Sequence, residues 1–299
     1  LETYSKFARA DKLKVPFSIF NSHLAAVRYW LARTLEAQGK SDEKKLQQKK
    51  MIEELPFEFY AITSRNEFGL PLKEMFREAS QPLAPRMTGL GDAGRWHLAR
   101  AEKLIAAGFS DAGVKELNLI SGGENDLQFL FYLSRLYAFA GDFKKSMKLA
   151  WDILDKNHQG SDKFITTELG KALFPKVFME KVETLAGKYK LDAFLILSLI
   201  RQESAFNSGA TSSANAVGLM QLLPTTAGQV ARSLHQPSPD SEQLKDPDVN
   251  LLLGIDYLKG ILSAFNNNIV FALAAYNAGS HKVKEWIDLR ADLDPVEFI

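Results

Sequence analysis

A mainly α-helical protein is predicted from three features of the 299-residue sequence. Good helix formers run for roughly 12 to 15 residues at a time, an ordinary length for a globular helix. In the first half these runs stop at a Gly in a recurring local context, at Gly39, Gly108 and Gly141. No stretch alternates apolar and polar residues over the length of a strand, so β structure is expected to be minor.

The elements follow in order. "LARTLEAQGKSDEKKLQQKKM", "LARAEKLIAAGFSDAGVKEL" and "YLSRLYAFAGDFKKSMKLAWDIL" each set an Ala-rich helix end before the Gly and an aromatic or polar turn after it. Such segments read as helical hairpins. Gly108 and Gly141 lie 33 residues apart, near the tetratricopeptide period of about 34. Gly39 and Gly108 are not one period apart, and most other signature residues of that repeat are missing, so the array is read as an irregular α-solenoid. "FEFYAITSRNEFGLPLKE" and "SQPLAPRMTGLGDAG" carry Gly and Pro punctuation and read as a connection. Further breaks come at "DKNHQGSDKFI" and "ALFPKVF", with Pro175 expected at the start of a new helix. These breaks predict a helical, repeat-like domain over residues 1–172 and a second α-rich domain over 173–299. In the second, "NSGATSSANAVG", "LLPTTAG" and "HQPSPDSEQLKDPDVN" separate helical runs such as "NLLLGIDYLKGILSAF" and "IVFALAAYNAG".

Composition narrows the function classes. Hydrophobic residues at 46% and charged residues at 24% are ordinary for a folded globular chain. Lys and Arg total 37 against 36 Asp and Glu, which leaves no field to hold a polyanion, so nucleic acid is not expected as a partner. There is no Cys, hence no disulfide or thiolate chemistry. His23, His97, His158, His235 and His281 are scattered without ligand spacing, so no metal and no cofactor are expected. The longest apolar run, around "AFLILSLI", falls well short of the ~20 residues that cross a bilayer. A chain that opens at Leu1 reads as a processed product or a fragment, which leaves an export signal open.

One residue concentrates the functional question. In "LILSLIRQESAFN" a carboxylate, Glu203, stands where an apolar stripe should continue: on a helix it shares a face with Leu199 and Ile200, and with Ile196 a turn further back. Burial disfavours the charged form, so its pKa should rise. A carboxyl still protonated near neutral pH can protonate a poor leaving group such as a glycosidic oxygen. The structural reading is that Arg201 or a backbone group satisfies it. Gln221, an amide between Met220 and Leu222, needs a partner if buried, from the backbone or from a ligand. Gly218 permits a close backbone approach. Asn277 and Gly279 fit a helix cap as well as a site, whereas a phenol such as Tyr276 beside a carboxyl can orient it and stabilise its anion.

The segments "IRQESAFN", "GLMQLLPTTA", "DPDVNLLLGIDYL" and "ALAAYNAG", in that order, resemble the four motifs of the soluble lytic transglycosylase family. The resemblance covers about residues 172–299, and the helical first half is similar, more loosely, to the α-superhelical region that precedes the catalytic domain in the large members. It implies a lysozyme-like fold for the second domain. It also implies cleavage of the β-1,4 bond between N-acetylmuramic acid and N-acetylglucosamine in peptidoglycan, with a 1,6-anhydro product and no water as nucleophile. Glu203 matches the single acid of that family, Ser212 the serine facing the sugar N-acetyl group, Gln221 the glutamine lining the cleft, Tyr276 the tyrosine near the acid, and Asn277 the asparagine beside it. Peptidoglycan glycan strands are the implied partner and a periplasmic or otherwise exported location the implied place. Two departures stand out: Asn215 where the family often has Gly, and Leu223 where it often has Met before Pro224. The large members continue past "DPVEFI" into a further helix, so a truncated C-terminus is expected. A goose-type lysozyme shares the implied fold and acid; as an inverting hydrolase it would need a second carboxylate, for which Asp192, Asp246 and Asp256 are available. A non-catalytic glycan-binding scaffold is the alternative from another class.

Overall fold

The structure, a computed structural model, describes residues 17–76, 89–156 and 166–289. Among them the chain is helical apart from short connections, with isolated β bridges such as Thr211 with Val217 and Val217 with Leu222. The Cα positions group into two compact units, one comprising residues 1–140 and 145–174, the other 141–144 and 175–299.

The first unit opens with α1 (Phe17–Ala37), α2 (Ser41–Glu54) and α3 (Phe59–Glu67). The α1 to α2 turn closes on Gly39, where φ is +74°, and the Lys40 amide donates to the Leu35 carbonyl at 2.9 Å. "FEFYAITSRNEFGLPLKE" contains helix α3, not only the connection its punctuation predicts. Tertiary packing decides this: the Tyr60 ring stacks on Tyr29 of α1 with centroids 4.7 Å apart, and Ala61 is fully buried. Gly69, at φ +64°, closes the helix.

The next pair, α4 (Asp92–Ala106) and α5 (Ser110–Leu117), is the hairpin predicted about Gly108. Gly108 adopts φ +83°, a left-handed conformation, and the Phe109 amide reaches the Leu104 carbonyl at 2.8 Å. A Cβ built on Gly108 would meet nothing within 4 Å, so backbone angle and not space demands Gly there. Helices α6 (Leu127–Phe139) and α7 (Phe143–Lys156) form the hairpin about Gly141, which has φ +85°. Asp126 caps α6 by accepting from the Gln128 and Phe129 amides, and the Ser134 hydroxyl donates to the Ser146 carbonyl at 2.9 Å between the two helices. Helix α8 (Thr167–Leu173) closes the unit. Much of "SQPLAPRMTGLGDAG" and "DKNHQGSDKFI" lies outside the described residues.

The second unit contains α9 (Met179–Tyr189), α10 (Ala193–Ser204), α11 (Pro224–Ser233), α12 (Pro247–Ala264), α13 (Ile269–Ala278) and α14 (Ser280–Leu289). Pro175 does not open α9; three residues intervene, and the helix starts after Phe178, a left-handed residue at φ +60°. Helix α12 is the axis of this unit: Leu251, Leu253, Ile255, Leu258, Ile261 and Leu262 are buried, and it packs against α9, α11 and α13, while Lys259, Gly260 and Ser263 are exposed. Its start is set by Asp246, whose carboxylate accepts from the Asp248 and Val249 amides at 2.8 and 3.2 Å, with Pro247 at the first helical position. No helix among the described residues is long and apolar enough to cross a membrane.

Two glycines separate conformation from space. Gly108→Ala should cost about 1–2 kcal/mol, because Ala must take a left-handed angle. Gly187→Ala, inside α9 with nothing within 4 Å of a new Cβ, should be neutral or stabilising by up to ~1 kcal/mol. Chemical denaturation of the two variants beside the parent chain checks both signs.

Candidate active site

Helix α10 presents the carboxyl. Asp192 caps its start by accepting from the Phe194 amide at 2.7 Å, and Ile196, Leu199 and Ile200 bury the face on which Glu203 lies. The helix stops directly after Glu203 without a Gly. Ala205 and Phe206 adopt φ of +49° and +65° in succession, a conformation costly for L-residues that persists only where surrounding structure enforces it. Phe206 is 4% exposed, so its burial holds the reversal. Glu203 is half-buried, and among the described residues it makes no hydrogen bond or ion pair. Burial is what raises its pKa above the usual carboxyl range. Salt-bridge satisfaction, the structural reading of this residue, is therefore not what the fold provides.

The segment from Ala210 to Leu222 is a compact double turn. Val217 and Leu222 exchange backbone hydrogen bonds at 2.9 and 3.0 Å, and the Gly218 amide donates to the Ala210 carbonyl at 2.9 Å. Ser212 braces its outer end: its amide donates to the Ala216 carbonyl at 2.9 Å, and its hydroxyl oxygen accepts from the Ala216 amide at 3.0 Å, which leaves the hydroxyl hydrogen to donate elsewhere. Asn215, where the resemblance expects Gly, sits at φ +61°. Asn is the residue other than Gly that best tolerates this angle, so the substitution preserves the path. Leu223 is 42% exposed, at the start of α11.

Gln221 has its amide nitrogen committed to the backbone, donating to the Gly218 and Ala210 carbonyls at 3.0 and 3.2 Å. Of the two readings left open for this residue, the backbone one accounts for the nitrogen. Tyr276, near the end of α13, donates its hydroxyl to the Met220 carbonyl at 2.7 Å. Burial, then the charge of Glu203, then Tyr257 push this phenol well above its ordinary range, so Glu203 and Tyr276 act on each other. The Tyr257 ring lies 5.3 Å from that of Tyr276. Asn277 is exposed beside it, and Gly279, at φ +90°, ends the helix.

Two participants were not identified in the sequence. Asn250 of α12 is fully buried. Its Oδ1 accepts from the Met220 amide at 2.8 Å, while its Nδ2 donates to the Leu244 and Val217 carbonyls at 2.8 and 2.9 Å. Without it the Met220 N–H and the Leu244 carbonyl would lose these partners, at ~1–3 kcal/mol each, while the Val217 carbonyl would keep the Leu222 amide. The second is the Met220 carbonyl, since backbone roles leave no mark in the residue types. Asn250 did have a signal, a polar side chain directly before the apolar run Leu251–Leu253. Gly218 is needed by this packing: its φ is +82°, and a Cβ there would stand 2.2 Å from Asn250 Nδ2.

The other carboxylates are occupied elsewhere. Asp192 and Asp246 are helix caps, the former about 16 Å along α10 from Glu203 at 1.5 Å per residue. Asp256 acts on Tyr189, which burial first and this charge second push upward. No group of three or more His, Cys, Asp or Glu among the described residues could hold a metal ion. Clefts of about 480 and 470 Å³, one beside Phe265 and Phe271 and one beside Lys181 and Asp248, contain none of the site residues.

Residues 180–299 match the profile of the Transglycosylase SLT domain. The soluble lytic murein transglycosylase of Escherichia coli K12 is 34% identical over 128 residues, which cover 42% of this chain and 20% of that relative. An inactive glutamate-to-glutamine mutant of the lytic transglycosylase Slt from Pseudomonas aeruginosa superposes with a TM-score of 0.70 at 27% identity, covering 99% of this chain and 46% of that one. The 70 kDa soluble lytic transglycosylase of Escherichia coli shares the fold, with a TM-score of 0.71 at 23% identity over 92% of this chain and 42% of that one. The chain therefore spans less than half the length of these relatives.

Burial of Glu203 has a pH signature. Its folded pKa lies above the unfolded value of about 4.3, so the folded state holds the proton more tightly, and the resulting stability is lost as pH rises through the folded pKa. Glu203→Gln should therefore gain melting temperature over the parent at pH 8 relative to pH 4; an equal difference at both would contradict the burial.

Proposed function

We propose that the protein is a lytic transglycosylase, a reading supported by the match of residues 180–299 to the Transglycosylase SLT domain. It cleaves the β-1,4 bond between N-acetylmuramic acid and N-acetylglucosamine in peptidoglycan, with Glu203 as the only acid and base. The observation that carries this reading is that Glu203 stands half-buried at the end of an apolar helix face, raised by burial, with no other carboxylate among the causes.

The chemistry follows from a carboxyl held neutral. Glu203 gives its proton to the glycosidic oxygen as the bond to C1 of the muramic residue breaks. The carboxylate then takes the proton of the C6 hydroxyl of that same residue, and the C6 oxygen closes on C1. The proton count balances, Glu203 returns protonated, and the product carries a 1,6-anhydro bridge. A nucleophile supplied by the substrate removes the need for a second carboxylate, an exception to the paired arrangement of most glycosidases. An inverting hydrolase would need a partner roughly 6.5–9.5 Å away; the capping roles of Asp192 and Asp246 weigh against that alternative.

Around the acid, Ser212 with its remaining hydroxyl hydrogen and Gln221 with its Oε1 are the polar groups for the N-acetyl and hydroxyl groups of the sugar. Asn277, exposed at the end of α13, is placed to meet the strand. The glycan substrate implies an exported or periplasmic site of action.

Purified peptidoglycan digested with the protein should release anhydro-ended muropeptides, and Glu203→Gln should lower the rate by a factor of about 10² to 10⁴. Reducing-end products from the parent chain, one water heavier, would overturn the transglycosylase reading.

A further inference from the structure

The two left-handed residues that follow Glu203 carry side chains, and the larger of them has a partner far back in the sequence. Phe206 meets the ring of Phe143 edge to face, with centroids 6.0 Å apart and planes at 73°. Phe143 stands two residues after the left-handed Gly141, in the segment 141–144 that belongs to the same compact unit as Glu203. We propose that Phe143 is a positioning residue for the reaction: by holding Phe206 it keeps the reversal after α10 closed and so fixes where the Glu203 carboxyl stands. The inference deepens the transglycosylase reading and rests on it for the role of Glu203.

The reversal needs something to hold it. Gly would take these angles freely, and neither position has one. A bulky residue at positive φ is an outlier, and two such residues in succession persist only where their surroundings leave no alternative. Ala205 offers a single methyl group to those surroundings; Phe206 offers a buried ring. An edge-to-face pair prefers one mutual orientation as well as one separation. Phe143 therefore restrains the direction of the Phe206 side chain, which burial among unspecific apolar groups would leave free to turn.

Backbone hydrogen bonds carry the restraint in both directions. Toward the acid, the Ala205 amide donates to the Arg201 carbonyl and the Asn207 amide to the Ser204 carbonyl, each at 3.1 Å, so these two bonds bracket the turn that bears Glu203. Away from it, the Ala210 amide donates to the Asn207 carbonyl at 3.2 Å. The Ala210 carbonyl in turn accepts from the Gly218 amide at 2.9 Å and from Gln221 Nε2 at 3.2 Å. The reversal thus joins the acid to the double turn that carries Ser212 and Gln221. Loosening Phe206 lets the one move against the other, and a misplacement of about 1 Å can cost ~10²-fold in rate.

Amide hydrogen exchange on the full chain, read by NMR without substrate, tests the restraint directly. Phe143→Ala should speed exchange at the Ala205, Asn207 and Ala210 amides by about 2- to 12-fold, the size of one aromatic pair, and leave the amides of α12 unchanged. On soluble glycan strands the same variant should lose about tenfold in kcat with KM unchanged, and Phe143→Tyr, which keeps the ring, should restore both readings. Equal acceleration along the whole chain would mean that Phe143 only stabilises the fold. No acceleration at the three amides would mean that Phe206 is held without it, and a raised KM with kcat retained would mean that the acid stays in place. Each of these overturns the proposal. If Phe143→Ala does not fold, the same readings are taken on Phe143→Leu, which keeps apolar bulk and loses the ring. A parent chain that releases no anhydro ends overturns the transglycosylase reading, and the exchange result stands apart from it.

Discussion

A carboxyl placed on an apolar face with no cation to meet it is the constraint from which the second unit can be understood. Ionising Glu203 in place would forgo part of the solvation of water, and among the described residues no ion pair offsets that loss. Burial therefore raises the pKa of Glu203 above the ordinary carboxyl range. The cost is structural as well as electrostatic. The helix that carries Glu203 must end at once, and it does so through two left-handed residues that carry side chains, Ala205 and Phe206.

The remainder of the site is backbone architecture held by buried amides. Gln221 joins two carbonyls of one turn, and Asn250 joins three backbone groups contributed by the turn and by Leu244. Neither amide nitrogen is available to a substrate, yet both decide where available groups stand. The buried polar groups here are fully satisfied, the condition under which a polar network rigidifies a core instead of weakening it. Tyr276 closes the chain of contacts by linking this turn to α13, and the charge of Glu203 acts on its phenol.

Much of this was legible in the sequence, for reasons that are local. Glu203 betrays itself by its register with Ile196, Leu199 and Ile200, and Gly39, Gly108 and Gly141 by a left-handed requirement that almost every other residue resists. What escaped reading depends on distant partners. Helix α3 exists because Tyr60 finds Tyr29, about thirty positions earlier in the chain. Pro175 reads as a helix start, but Phe178 supplies the actual turn into α9. The direction of the Tyr276 hydroxyl depends on a carbonyl fixed by an amide 30 residues from it in sequence, and no periodicity reports that. Asn215 shows the converse, a departure from the expected Gly that the backbone angle renders equivalent.

The account rests most heavily on one carboxylate serving where glycosidases usually place two. Digestion of peptidoglycan in water enriched in oxygen-18 tests this at the bond itself. Intramolecular closure predicts muramic ends that carry no label, because the C6 oxygen of the sugar becomes the bridge. Incorporation of one labelled oxygen at C1 of each new end would show that water is the nucleophile and would contradict a site built around Glu203 acting without a second carboxylate.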